Sequence, residues 1–125
     1  MDCSGCHTTH DDPSGEQFAR LTMNDTCYDC HAEKRGPYLW EHAPVAEDCG
    51  TCHDPHGSSN PGMVTLRGPM MCQGCHSQAG HPSFASSPDG LATGTPSQFL
   101  LGRNCLNCHT QVHGSNHPSG NKLMR

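Results

Sequence analysis

Apolar positions are sparse along the chain and follow neither a helical nor a strand period. No stretch alternates apolar and polar residues as a half-buried strand does. No run approaches the ~18 apolar residues of a membrane span, and no heptad or collagen-like repeat exists. The local signals therefore predict short elements only. Asn24 or Asp25 caps a helix through Cys27–Glu33, which Gly36-Pro37 stops. Arg103–Val112 is a second helical candidate, ended by Gly114. Asp48 caps a brief turn at Cys49–His53, and Pro55 ends it. The segment His81–Arg103 is rich in Pro, Gly and Ser and reads as a long ordered loop. The expected fold is mostly coil and turn, with a few short α-helices and little or no β-sheet.

Composition turns this weak pattern into a puzzle. Hydrophobic residues make up 32% of the 125 residues, against ~45–50% in an ordinary globular domain. The chain has 14 Gly and 10 Pro but one Trp. Its length suits a single domain, residues 1–125, yet the side chains are too few and too polar for a conventional core. Either the chain is disordered or something other than protein fills its centre. The net charge of −5 argues against a nucleic-acid partner, which demands a basic face. No charged and apolar leader precedes Cys3, so an exported form would have lost its signal peptide.

The cysteines decide between these options. All 10 fall in CxxC pairs: Cys3/Cys6, Cys27/Cys30, Cys49/Cys52, Cys72/Cys75 and Cys105/Cys108. A histidine follows each pair: His7, His31, His53, His76 and His109. CxxCH is the attachment signature of c-type haem. The two thiols add to the porphyrin vinyl groups, and the adjacent imidazole binds the iron as the proximal ligand. A zinc ribbon needs paired CxxC sites and gives no reason for the histidines. A disulfide framework would scatter its cysteines, and a thioredoxin-like motif would occur once within a βαβ unit.

Five covalently attached haem c groups in 125 residues is one per 25 residues. The porphyrin faces then supply the apolar area that the side chains lack. The expected fold class is a small multihaem cytochrome c whose core is five closely packed haems. First-cysteine spacings of 24, 22, 23 and 33 residues describe a row of units too short to fold singly. Haems this dense form a chain along which electrons can move.

Six further histidines are candidates for the distal side of the irons: His10, His42, His56, His81, His113 and His117. Iron with two histidines is six-coordinate and closed, which suits electron transfer over substrate chemistry. His10 and His56 lie three residues beyond His7 and His53, and His113 lies four beyond His109. Side chains that near cannot wrap to the far face of the same haem, so each serves a neighbour. His42 sits seven residues before Cys49 and can reach the haem of that motif, across a loop stiffened by Pro44. His117 is the spare, or the ligand of a haem otherwise short of one.

Two runs carry a family resemblance: NDTCYDCHAEKRGPYLWEHAPVAEDCGTCHDPHGSSNPGM, Asn24 to Met63, and NCLNCHTQVHGSNHPSG, Asn104 to Gly120. They resemble the C-terminal, pentahaem half of the Mtr-type (DmsE-like) decahaem electron-conduit cytochromes. Agreement is looser over Thr8–Met23 and His81–Gly102. The likeness to pentahaem donors of periplasmic nitrite reductases is more remote. The resemblance implies bis-histidine haems stacked as a wire, a periplasmic or outer-membrane setting, and exchange with other cytochromes. In that family a His-Pro segment precedes the first motif of this half, whereas here the chain opens Met1-Asp2-Cys3. The expectation is therefore that the haem on Cys3, Cys6 and His7 is the odd one. Its distal ligand is left open between His117, a methionine (Met23, Met63, Met70, Met71 or Met124), another chain, or none.

The expected function is electron transfer between periplasmic or outer-membrane redox partners, with no catalytic residue. Those partners are other cytochromes, quinol-oxidising or terminal reductase systems, and an outer-membrane porin. The chain is not expected to cross a membrane itself. The alternative is a multihaem reductase with the first haem open. None of the motifs replaces its proximal histidine with the lysine that the catalytic haem of the pentahaem nitrite reductases carries.

Overall fold

The computed structural model describes residues 2–8, 18–76 and 104–125. The expected loop at His81–Arg103 lies outside them, as do His10 and His81. Three short α-helices are present: α1 at Met23–Tyr28, α2 at Ala43–Glu47 and α3 at Met70–Gln73. Single 3₁₀ turns occupy Cys3–Gly5, Ala32–Lys34, Cys49–Thr51, Pro61–Met63 and Cys105–Asn107. No strand forms among the described residues. Isolated bridges join His7 to Phe18, Trp40 to Ser115 and His53 to Val64. The mostly coil architecture agrees with the expectation.

The element boundaries differ in instructive ways. Helix α1 is capped by Thr22, whose hydroxyl accepts the Asp25 N–H at 3.0 Å, and not by Asn24 or Asp25. Asn24 is committed elsewhere. Its amide donates to the Val45 and Ala46 carbonyls at 3.1 and 3.2 Å and its oxygen accepts the Cys49 N–H at 2.7 Å. One buried side chain thus ties α1, the end of α2 and the third motif together. Helix α1 stops at Tyr28 because the chain turns off at His31, where φ is −112° and ψ 46°. Pro44 opens α2 in place of the expected loop, since proline suits the first helical turn. The candidate helix at Arg103–Val112 shrinks, among the described residues, to the turn Cys105–Asn107, capped by the Asn104 side chain. Asp48 caps as expected, accepting the Gly50 N–H at 2.7 Å.

The chain divides into two compact units. One comprises residues 1–51, 111–123 and 125; the other comprises 52–110 and 124. No hydrophobic side chain is buried among the described residues; those that are buried are Asn24, Thr26 and Ser115. Leu21 is 94% exposed and Met70 63%. Order among the described residues therefore rests on hydrogen bonds and caps. No described helix is long and apolar enough to cross a membrane.

Candidate haem-attachment sites

The local geometry of the motifs repeats. In the first, second, fourth and fifth, the histidine N–H donates to the carbonyl of the first cysteine. The distances are 2.9 Å for His7 to Cys3, 2.9 Å for His31 to Cys27, 2.8 Å for His76 to Cys72 and 2.9 Å for His109 to Cys105. The second cysteine donates its own N–H to the same carbonyl. Cys6 does so at 3.1 Å, and Cys30, Cys75 and Cys108 each at 3.2 Å. One tight turn thus carries two thiols three positions apart and an imidazole on the next residue. That donor set is what a covalently attached c-type haem requires: two sulfur atoms for the vinyl groups and one nitrogen for the iron. All ten cysteines are free thiols. Among the described residues no three His, Cys, Asp or Glu side chains gather as a metal-ion site.

In three of the motifs the second cysteine is the more exposed of the pair. Cys30, Cys75 and Cys108, the second cysteines of the second, fourth and fifth motifs, are exposed, and so is Cys3. Cys6, Cys27, Cys49, Cys52, Cys72 and Cys105 are half-buried. The reason lies in the turn. Cys30, Cys75 and Cys108 close it at its outer end, whereas the first cysteine of the same pair is drawn against a neighbouring motif. In these three motifs the side chains leave the second thiol open to a group arriving from outside the turn.

The first cysteines of successive motifs are brought together. Cys27 lies close enough to Cys49, and Cys72 to Cys105, for each thiol to act on its neighbour's electrostatics. Burial pushes the Cys49 and Cys72 thiols up to about 11, and it raises Cys27 and Cys52 as well. These thiols are neutral at pH 7, which lets two of them sit side by side without repulsion. Met23 packs its sulfur against Gly50, inside the third motif.

The histidines are held in different ways. His7 stacks on Phe18, with ring centroids 5.9 Å apart. His31 lies 3.6 Å from Glu33 on the surface. His53 places Nδ1 2.8 Å from the Gly62 carbonyl, and His42 places Nδ1 3.0 Å from the Val112 carbonyl. A carbonyl only accepts, so Nδ1 carries the proton in both rings and the lone pair sits on Nε2. Fixing the second nitrogen this way is how a metal-ligating imidazole is oriented. His42 and His113 line one cavity with Tyr28, Lys34, Arg35, Tyr38 and Glu41. The Arg35 guanidinium lies 5.7 Å from the Tyr28 ring centre, and burial raises the Tyr28 hydroxyl. His56 is exposed, with Nδ1 4.0 Å from Asp54.

Pattern reading offers no hint of the device that holds His42. Residues 39–42 and 112–117 form a clamp. Trp40 and Ser115 exchange backbone hydrogen bonds at 2.9 Å each way. The Leu39 N–H donates to the Asn116 side chain at 2.9 Å, and the Trp40 indole donates to the His117 carbonyl at 3.0 Å. Gly114 permits the approach: its φ is +137°, and a Cβ there would overlap the Tyr38 ring. Trp40, Gly114, Ser115 and Asn116 are the structural residues that pattern reading misses, and an isolated NHP or HGS run does not signal such pairing.

Comparison with known proteins agrees with this geometry. The family described as the doubled CXXCH motif matches residues 1–36 and 42–81. The chain is 54% identical over 127 aligned positions to the multiheme cytochrome MtrA of Shewanella baltica (strain OS185). The match takes in 100% of this chain and 38% of that relative, so the chain spans well under half its length. Repeated attachment turns, the family match and this identity lead to one conclusion: the chain belongs to the doubled CXXCH motif family and is a multihaem c-type cytochrome of the Mtr type.

Proposed function

We propose that the chain is an electron carrier that holds five c-type haems in a row and passes electrons along them between redox partners. The observation that carries this reading is the recurrence of the attachment turn, with one histidine per cysteine pair. Bound haem supplies a one-electron iron couple, and the protein sets how exposed and how closely spaced those couples are. Cys3/Cys6, Cys27/Cys30, Cys49/Cys52, Cys72/Cys75 and Cys105/Cys108 hold the five groups. His7, His31, His53, His76 and His109 are the proximal ligands, and distal ligands come from the remaining histidines. The neighbouring pairs Cys27–Cys49 and Cys72–Cys105 support close packing, because groups attached there would meet at those edges. The exposure of Cys30, Cys75 and Cys108 supports it too, since a porphyrin vinyl group can reach a thiol that no side chain covers. The five sites together make one pentahaem unit.

Attachment of haem to CxxCH takes place outside the cytoplasm, so the protein is assigned to the periplasm. Its partners are other cytochromes, quinol-oxidising or terminal reductase systems, and an outer-membrane porin. The acidic side-chain balance, −5 overall, favours partners with basic docking faces, and salt should slow the exchange.

The test is made on the holoprotein. Intact mass counts the covalent haems, and low-temperature EPR through a redox titration counts the low-spin irons. Five haems, all low-spin, with rapid exchange with a basic cytochrome, support the carrier. A high-spin iron that binds and turns over nitrite or hydroxylamine would move the reading to a reductase. Fewer than five haems would remove the wire.

A further inference from the structure

Tautomer logic separates the histidines left over after the five proximal ligands. A neutral imidazole has one lone pair and one N–H, and a ligand must offer the lone pair to the metal. In His42 the Val112 carbonyl takes the N–H of Nδ1, so the lone pair lies on Nε2. In His117 the assignment is reversed. Its Nδ1 lies 3.1 Å from the backbone nitrogen of Ser119, and a backbone N–H only donates. The Ser119 hydroxyl lies 3.0 Å from the same Nδ1. The lone pair of His117 is therefore occupied within the protein, and the proton sits on Nε2.

The rest of His117 is equally committed. Its N–H donates to the Ser115 hydroxyl at 3.2 Å. Its carbonyl accepts the Trp40 indole N–H at 3.0 Å and the Gly120 N–H at 2.8 Å. Gly120 is buried against Ser115, where any Cβ would collide. The contact from Nδ1 to the N–H two residues on copies the turn that an Asn or Asp side chain makes with its own backbone. Through Trp40, that turn bears on the clamp whose other end fixes the His42 ring.

We propose that His117 is not an iron ligand but a positioning residue: its imidazole caps the Pro118–Gly120 turn and so closes the clamp that aims His42 at a haem. This rests on the haem-carrier reading, and it leaves five histidines, His10, His42, His56, His81 and His113, for five distal positions.

The experiment compares holoprotein variants. In His117→Asn the side-chain oxygen replaces Nδ1 as acceptor for Ser119, so the number of low-spin EPR signals and the reduction potentials stay as in the parent. In His117→Ala the cap is gone. One low-spin signal broadens and its potential shifts, at the same haem that His42→Ala turns high-spin. A high-spin, carbon monoxide-binding haem in His117→Asn would make His117 a ligand and overturn the proposal. So would a His117→Ala protein with unaltered spectrum and potentials. If His117→Ala yields no holoprotein, nitrogen NMR of the reduced, diamagnetic parent decides: a ring protonated at Nε2 and free of haem ring-current shifts is expected, and a haem-shifted ring overturns it. Failure of the carrier reading is seen separately, as absence of covalent haem in the parent by mass.

Discussion

Two regions orient a histidine in the same chemical way and are built differently. His53 is held by the loop that follows it. Its Nδ1 donates to Gly62, the Asp54 N–H donates to Met63 at 2.8 Å, and the Thr65 N–H donates to Cys52 at 2.8 Å. Ser58 and Asn60 both donate to the Val64 carbonyl. All these partners lie within 14 residues of chain. His42 is held by the clamp, whose two sides are some 70 residues apart in sequence. The loop closes a short circuit, with small entropy to overcome, whereas the clamp must close a long one. His53, inside a CxxCH motif, is oriented locally, and His42, outside one, is oriented by long-range contact.

The most severe way to break this comparison is to withhold the haem. With no buried hydrophobic side chain among the described residues, hydrogen bonds alone face the full conformational entropy of the chain. The full chain made without haem attachment is expected to give a coil spectrum by far-ultraviolet circular dichroism. Hydrogen exchange at Trp40 and Ser115, against Asp54 and Thr65, sharpens the contrast. The long-range pair should lose all protection, and the loop should keep what little remains. Protected clamp amides in the haem-free chain would show that the clamp folds by itself.

The next largest effect is expected at Gly114. Gly114→Val imposes a positive φ on a branched residue and drives its side chain into Tyr38. A cost above about 2 kcal/mol follows from the left-handed backbone and the overlap. Denaturation of the holoprotein, followed in the Soret band, should show it, together with a high-spin fraction at one haem as His42 loses its support. A stable Gly114→Val protein with parental EPR would show that His42 does not depend on the clamp.

These regions also differ in how far the sequence reveals them. The CxxCH turns are legible because their chemistry is local: the motif names both the thiols and the imidazole, and one turn brings them together. What the motif does not reveal is the asymmetry within a pair, with Cys30, Cys75 and Cys108 exposed beside half-buried first cysteines, because that depends on which other motif lies near. Asp48 caps where it is expected because its partner, Gly50, is two residues away. Asn24 is misread as a cap because its partners, Val45, Ala46 and Cys49, are more than twenty residues distant. The clamp is illegible for the same reason. Gly114 reads as a helix terminator, and nothing near it announces Tyr38 or Trp40. The histidines follow this rule: spacing picks out the five that close the CxxCH motifs, while separating His42 from His117 needs the position of one proton on each ring.

A milder probe lies within the loop. Gly62 has φ +73° with open space where a Cβ would stand. Gly62→Ala therefore meets only the backbone penalty, about 1 kcal/mol. It should lower the denaturation midpoint without producing high-spin iron. A high-spin signal here would show that the His53 bond to the Gly62 carbonyl is as fragile as the clamp.

The smallest effect is expected at Ser58, where the loop has redundancy that the clamp lacks. The Val64 carbonyl accepts both the Ser58 hydroxyl at 2.6 Å and the Asn60 amide at 3.1 Å. Ser58→Ala removes one of these and also the acceptor of the Asn60 N–H. A single hydrogen bond contributes about 0.5–1.5 kcal/mol, and the surviving Asn60 contact should keep the loss at the low end. Asn60→Ala should behave alike, since Ser58 then remains. Removing both strips the carbonyl of its two side-chain partners, so the double variant should lose more than the sum of the singles. Denaturant titration of the four holoproteins measures that excess directly. Strict additivity would mean that the two donors act independently, and the loop would then be no better buffered against substitution than the clamp.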